Sequence, residues 1–184
     1  MLQEAIKCTQ MLEATGHGNY VRVQRLARGL GHMSTFFLTF GLVPVARNSM
    51  WTIVFGIPFE RAIAFHRLLA LGFFLAVTGH LVSWVVFWGQ EGVLHNLVSL
   101  TGCDIVPNGS LPHCDNFTIP MMGLTWLGMC VMVTLSYWWV RRKYFELFYY
   151  AHHFFVVVFV ASLVHAWGFW LYATGPLVLW WFDR

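Results

Sequence analysis

Charged side chains are scarce in this chain, at 10% of its 184 residues against 58% hydrophobic, where a soluble domain carries roughly 25%. That scarcity excludes an ordinary water-soluble globule. Cysteine is also sparse: Cys8, Cys103, Cys114 and Cys130 include no CxxC pair and no spacing suited to zinc. No GxGxxG or related nucleotide fingerprint occurs. The opening MLQEAIKCTQMLEATGHGNY lacks the charged start, apolar middle and small-residue cleavage site of a secretory signal, so residues 1–24 read as a polar or amphipathic lead-in. No repeat or low-complexity segment is present. No basic stripe with interleaved aromatics marks a nucleic-acid surface, and none is expected as a partner. No regular arginine series runs along an apolar segment, which argues against a voltage sensor or a haem-free channel.

What the chain does have is long apolar runs, and about 20 residues of helix cross a hydrocarbon core. They predict an all-α integral membrane helix bundle, with residues 25–184 forming the membrane domain in contact with lipid. Helices are expected near 26–46, 61–88, 119–140 and 146–171. Thr174-Gly175-Pro176 signals a turn before a fifth. That last stretch, PLVLWWF, reaches only about 10 Å at 1.5 Å per residue, so the chain is expected to be part of a longer protein.

The net charge of +3 matters through its placement. Arg141-Arg142-Lys143 separates the third and fourth runs, and the positive-inside rule puts 141–145 in the cytoplasm. Arg47 and Glu60-Arg61 fall on the same side. The opposite loop, 89–118, holds two glycosylation acceptors, Asn108-Gly109-Ser110 and Asn116-Phe117-Thr118. Cys103 and Cys114 bracket its polar part, and a disulfide between them requires a non-cytosolic loop. The loop is therefore expected to be extracytoplasmic.

Nine histidines is a high count for so apolar a chain, and ionisable side chains at membrane depth are functional candidates. His66 and His80 are 14 residues apart on the second helix, about 21 Å along the axis and about 40° around it. His165 follows His152 by 13 residues and His153 by 12, so the fourth helix offers a similar axial spacing, about 20 Å, with a poorer angular match whichever is chosen. Both helices run from cytoplasm to exterior, so the first histidines of each share one depth and the second another. Facing imidazoles are what a six-coordinate haem iron requires. Single bundle histidines hydrogen-bonded to a neighbour are the bland alternative; matched spacing on two helices favours paired ligation.

Four segments carry a resemblance to a known family: PVARN at 44–48, FERAIAFHR at 59–67, the His66/His80 pair, and FELFYYAHHFFVVVFVASLVH at 145–165. On these the chain, over roughly residues 25–182, resembles the ferric reductase-like transmembrane domain shared by NADPH oxidases and ferric-chelate reductases. The resemblance implies six helices, the first preceding the segment seen here, in a plasma-membrane oxidoreductase. It selects His152 over His153 and implies two b-type haems, His66 and His152 binding the inner one and His80 and His165 the outer. It further implies a cytosolic dehydrogenase domain binding FAD and NADPH, which these residues do not include, and an acceptor that is dioxygen or a chelated ferric or cupric ion.

In the same resemblance Arg28 falls where an arginine lies near the outer haem and the acceptor; a snorkelling interfacial anchor is the bland alternative, and that role suits Arg22 and Arg25 better. Two positions depart from the pattern. Trp84 stands where oxidases of the family carry a histidine four residues after the outer ligand, with His32 as a conceivable substitute. Val158 stands where several members place an aromatic between the haems, leaving Phe155 or Phe159 to fill the gap. FERAIAFHR and the first departure lean towards metal reduction, while the retained Arg28 keeps dioxygen open as the acceptor; loop residues His95, His113 and Asp115 offer weak metal ligands. A di-haem anchor exchanging electrons with a quinone or partner is the competing reading.

Overall fold

The computed structural model describes residues 18–43, 56–91, 94–98, 118–166 and 168–182. The PVARN segment, Cys8, Cys103, Cys114, Asn108, Asn116, His113 and Asp115 lie outside the described residues. Among those described, every regular element is helical: α1 (Gly18–Leu42), α2 (Phe59–Glu91), a 3-10 turn at Leu94–Leu97 that includes His95, α3 (Thr118–Leu135), α4 (Trp138–Lys143), α5 (Phe145–His152), α6 (Phe155–His165) and α7 (Phe169–Phe182). The protein is an all-α membrane protein. Three stretches are long and apolar enough to cross a bilayer: Phe59–Gln90, Thr118–Leu135 and Phe145–His165. Helix α1 has the length, at 25 residues, but Arg22, Arg25, Arg28 and a run of Ser and Thr dilute its apolar character.

Two compact units divide the chain, one of residues 1–94 with 172–184 and one of residues 95–171. In the first, α1 and α2 pack side by side and antiparallel. Small residues line the seam: Ala27 and Ser34 on α1 and Ala62, Ala76 and Ser83 on α2 are buried. A Cβ added at Gly72 would stand 2.9 Å from the Phe37 ring, and one at Gly79 would stand 3.0 Å from Leu30. Glycine at these two positions lets the neighbouring side chains reach the helix backbone, the device by which membrane helices associate when lipid offers no hydrophobic drive. The outer face of α2 is the opposite: Leu68, Leu71, Leu75, Val82 and Val86 are exposed. An apolar face of that size on a soluble monomer would be an aggregation site; towards lipid it is the ordinary solvent contact.

In the second unit α3 packs on α5 and α6. Thr125 and Met129 on α3 and Val158 and Ala161 on α6 are buried. The Phe154 ring lies over Gly128, inside the space a Cβ would need. Gly128→Ala is therefore expected to lower the stability of the detergent-solubilised protein by about 1–3 kcal/mol, the usual cost of overpacking, read as an earlier thermal transition. Adding Phe154→Leu to Gly128→Ala should restore most of it.

The ends of α3 and α5 explain where the apolar runs stop. α3 ends at Leu135, and the Ser136 hydroxyl donates to the Met132 carbonyl at 2.7 Å. The third helix is thus shorter than the expected 119–140. Tyr137, Trp138, Trp139, Tyr144 and Phe145 then lie exposed around the basic turn. Arg142 stands over the Trp138 ring at 5.6 Å and Lys143 over Trp139 at 5.0 Å. Aromatics interleaved with cations are the composition of a membrane–water interface.

The expected turn at Thr174-Gly175-Pro176 is corrected by the structure: Pro176 lies inside α7. The break falls earlier, where Ala166 is extended at φ −114 and ψ 94 after His165 and Phe169 N–H donates back to the Ala166 carbonyl at 2.8 Å. A helix interior in lipid keeps its backbone paired because no water competes for it, which tolerates proline better than water does. The fourth helix accordingly ends at His165 rather than at 171.

Candidate functional site

His66 and His80 both point from α2 onto the backbone of α1. The His66 Nδ1–H donates to the Gly41 carbonyl at 2.7 Å, and the His80 Nδ1–H donates to the Ala27 carbonyl at 2.7 Å. A carbonyl can only accept, so in each ring the proton sits on Nδ1 and the in-plane lone pair sits on Nε2. The acceptors are 14 residues apart on α1, as the histidines are on α2. One antiparallel seam therefore repeats the same bond two heptads further on, with both rings half-buried.

The close approach at His80 depends on Gly31, where an added Cβ would stand 3.0 Å from the ring. The middle heptad is filled by Phe73, seven residues from each histidine and only 9% exposed, at the level of buried Ser34 on α1. Sequence reasoning missed Phe73 as a member of this stripe, although the spacing 66, 73, 80 was there to find it.

Around His80, Trp84 is one turn on, its ring 6.4 Å away and edge-on; Trp84 also stacks on Trp88 at 5.6 Å and meets Phe87 edge-on at 5.5 Å. Arg28 follows Ala27 directly on α1 and is exposed, so its Cα shares the depth of His80. His32 is exposed one turn further along and, with Arg25, Met33, Phe36 and Tyr172, lines an open groove of about 790 Å³.

The other two expected ligands lie in the second unit. His152 ends α5 half-buried, its ring 5.2 Å from Phe148 and 6.1 Å from Phe155. His153 is exposed, bonds the Tyr149 carbonyl of its own helix through Nδ1 at 2.8 Å, and packs on the Tyr149 ring at 4.6 Å. His165 is the last residue of α6 and is exposed. Between them the backbone tightens: His153, Phe154 and Val156 N–H groups bond the carbonyls three residues back, those of Tyr150, Ala151 and His153. Three residues at about 120° and 2.0 Å each, in place of about 100° and 1.5 Å, bring the angular offset of His152 and His165 from about 140° to about 80° and their axial separation to about 21 Å. The poor angular match of an ideal helix is thereby reduced, and the axial spacing equals that of His66 and His80.

Val158 is buried on α6 at 5% exposure. Of the two aromatics proposed to fill its place, Phe155 is exposed and Phe159 meets buried Phe169 edge-on at 5.5 Å. Among the described residues no three His, Cys, Asp or Glu side chains gather as a metal cage. A haem needs only one such ligand from each side. The Nδ1-protonated imidazoles of His66 and His80, with backbone partners that fix ring orientation, have the donor chemistry and outer-sphere support that haem ligation uses.

Comparison with known protein families gives a match over residues 30–163 to the ferric reductase like transmembrane component. No curated protein matches the chain.

Proposed function

The chain belongs to the family of ferric reductase-like transmembrane components, and from that premise we propose that it carries electrons across the membrane through two b-type haems, from a cytosolic FAD- and NADPH-binding dehydrogenase to an extracytoplasmic acceptor. His66 and His152 would hold the inner haem and His80 and His165 the outer one. When bound, each haem supplies a one-electron carrier. The observation that carries the reading is the doubled histidine–carbonyl bond between α2 and α1, spaced by two heptads.

The chain's own residues supply the rest. The α1 carbonyls fix the tautomer and the ring planes of His66 and His80, so no reorganisation of the ligands is needed on electron arrival. The small-residue seam and Phe73 keep water from the space between the two levels. The basic turn 141–143, set among interfacial aromatics, marks the cytoplasmic end by the positive-inside rule. With two histidines given to each haem, the iron would have no open position, and an acceptor would be reduced without binding it. Arg28 stands at the depth where negative charge develops, a guanidinium suited to an anionic chelate or to nascent superoxide. Trp84 offers an aromatic wall where a proton donor for reduced oxygen would stand, which favours a chelated ferric or cupric ion over dioxygen.

The test begins with the purified protein in nanodiscs. A pyridine-haemochrome assay should return two b-type haems per chain with low-spin spectra, and absence of a Soret band would end the proposal. The full-length enzyme should then reduce a ferric chelate on NADPH addition, with superoxide dismutase removing little of the rate. A rate abolished by the dismutase would make dioxygen the acceptor.

A further inference from the structure

Around His80 the two helices interlock through consecutive residues. The Leu30 side chain of α1 occupies the space a Cβ would take at Gly79, 3.0 Å away, and the His80 ring of α2 occupies the space a Cβ would take at Gly31, also 3.0 Å away. Each helix thus sets a large side chain against a glycine of the other. What enters at Gly31 is one edge of the ring: Nδ1 and Cε1 would each stand 3.0 Å from the added Cβ, and Cγ 3.9 Å. Past that edge lies the carbonyl of buried Ala27, which takes the Nδ1–H at 2.7 Å. Its other lone pair serves the Gly31 N–H, four residues on in the same helix.

We propose that Gly31 is a positioning residue for the outer haem: having no side chain, it admits the His80 ring edge to the Ala27 carbonyl and so fixes the plane in which the imidazole presents Nε2. The proposal rests on the haem ligation given above. Carbon atoms in contact stand about 3.5–4.0 Å apart, so a methyl at position 31 drives the ring back by about 0.5–1 Å. A bond of 2.7 Å is then stretched to or past the ~3.2 Å at which a good N–H···O bond ends. The imidazole keeps a nitrogen for iron but loses the partner that holds its tautomer and orientation, and such a loss typically costs about 10–100-fold in affinity for the metal group. A hydroxyl at position 31 acts more directly. Ser83 donates to the carbonyl four residues back, that of Gly79, at 2.8 Å; a serine at 31 can do the same to Ala27 and compete with His80 for it. Gly29 has no such task, since a Cβ added there would meet nothing within 4 Å.

The test is haem transfer from the loaded protein to an excess of apoglobin, followed at the Soret band, with low-temperature EPR of the same samples. His80→Ala first identifies the outer haem as the low-spin signal that it lacks. Gly31→Ala should move the largest g value of that signal alone and release that haem at least about tenfold faster, while the other haem keeps its wild-type signal and rate. Gly31→Ser should release it at least as fast as Gly31→Ala. Gly29→Ala should match the wild type in both readouts. Gly79→Ala crowds a Leu30 methyl instead of the ring, so it should lower the thermal transition with the EPR spectrum unmoved, which separates a looser seam from a displaced ligand. Wild-type signals and rates in Gly31→Ala, a shift confined to the signal that His80→Ala retains, or an equal shift in Gly29→Ala or Gly79→Ala would each overturn the proposal while leaving two-haem ligation intact. Loss of all haem from the wild type would remove both readings together. If Gly31→Ala does not fold, Leu30→Ala/Gly31→Ala, in which α1 has room to recede from Gly79, is read in its place.

Discussion

His80→Ala is expected to leave one haem per chain where the wild type holds two, and His165→Ala to do the same. Each histidine would supply one nitrogen to its haem, so replacing it by alanine would leave a single ligand to hold the group. The Soret absorbance per chain should fall by about half, and the surviving haem should keep a low-spin signature, because His66 and its Gly41 bond are two heptads away and the levels are separated by about 21 Å. His66→Ala and His152→Ala should remove the other haem. His153→Ala is the control: its side chain is exposed and bonded within its own helix, so two haems should remain. Unchanged stoichiometry in His80→Ala would sink the ligand assignment. Loss of haem in His153→Ala with retention in His152→Ala would reassign one ligand.

That histidine stripe was legible because it depends on side chains and on the period of a long helix. The second apolar run, expected at 61–88, is found at Phe59–Glu91, and both of its histidines fall on the seam. The partners of that stripe were not legible. Ala27 and Gly41 act through their carbonyls, and a backbone acceptor carries no residue-type mark; only the small residues near them hint that another helix comes close. The expected extent, 26–46, reaches beyond the described residues, which pass from α-helix at Leu42 to a 3-10 turn at Val43.

The boundary between the last two helices was missed for a different reason. Gly-Pro is a turn signal calibrated on chains in water, and α7 carries it through an apolar stretch as helix. The tightening at His153–Phe154 has no glycine or proline to announce it. It comes from packing, since Phe154 is seated on Gly128 of α3, and it alters the phase of every residue from His153 to His165. Periodicity counted on an ideal helix therefore understated how well His152 and His165 match the spacing of the other pair.

Arg28→Ala is expected to lower kcat for acceptor reduction by about 10²-fold, the lower end of what loss of one preorganised charge-stabilising donor costs, with both haems retained. The residue follows Ala27, whose carbonyl receives the His80 Nδ1–H, so its backbone is fixed at the outer level while its side chain is exposed. On the proposed function a guanidinium there would stabilise negative charge on the acceptor as the electron arrives, and Arg28→Lys should recover only part of the rate because a point charge lacks the planar, forked set of donors. Trp84→His tests the same face from α2. The native indole sits 6.4 Å from the His80 ring and stacks on Trp88; an imidazole one turn beyond His80 supplies a proton donor where dioxygen would be reduced. Dismutase-sensitive superoxide formation should rise in Trp84→His while ferric-chelate reduction stays within about twofold, since reduction of a chelated metal needs no proton at that point. If Arg28→Ala leaves both reactions at the wild-type rate, the arginine is an interfacial anchor, and the acceptor meets the outer haem on a face that α1 does not supply.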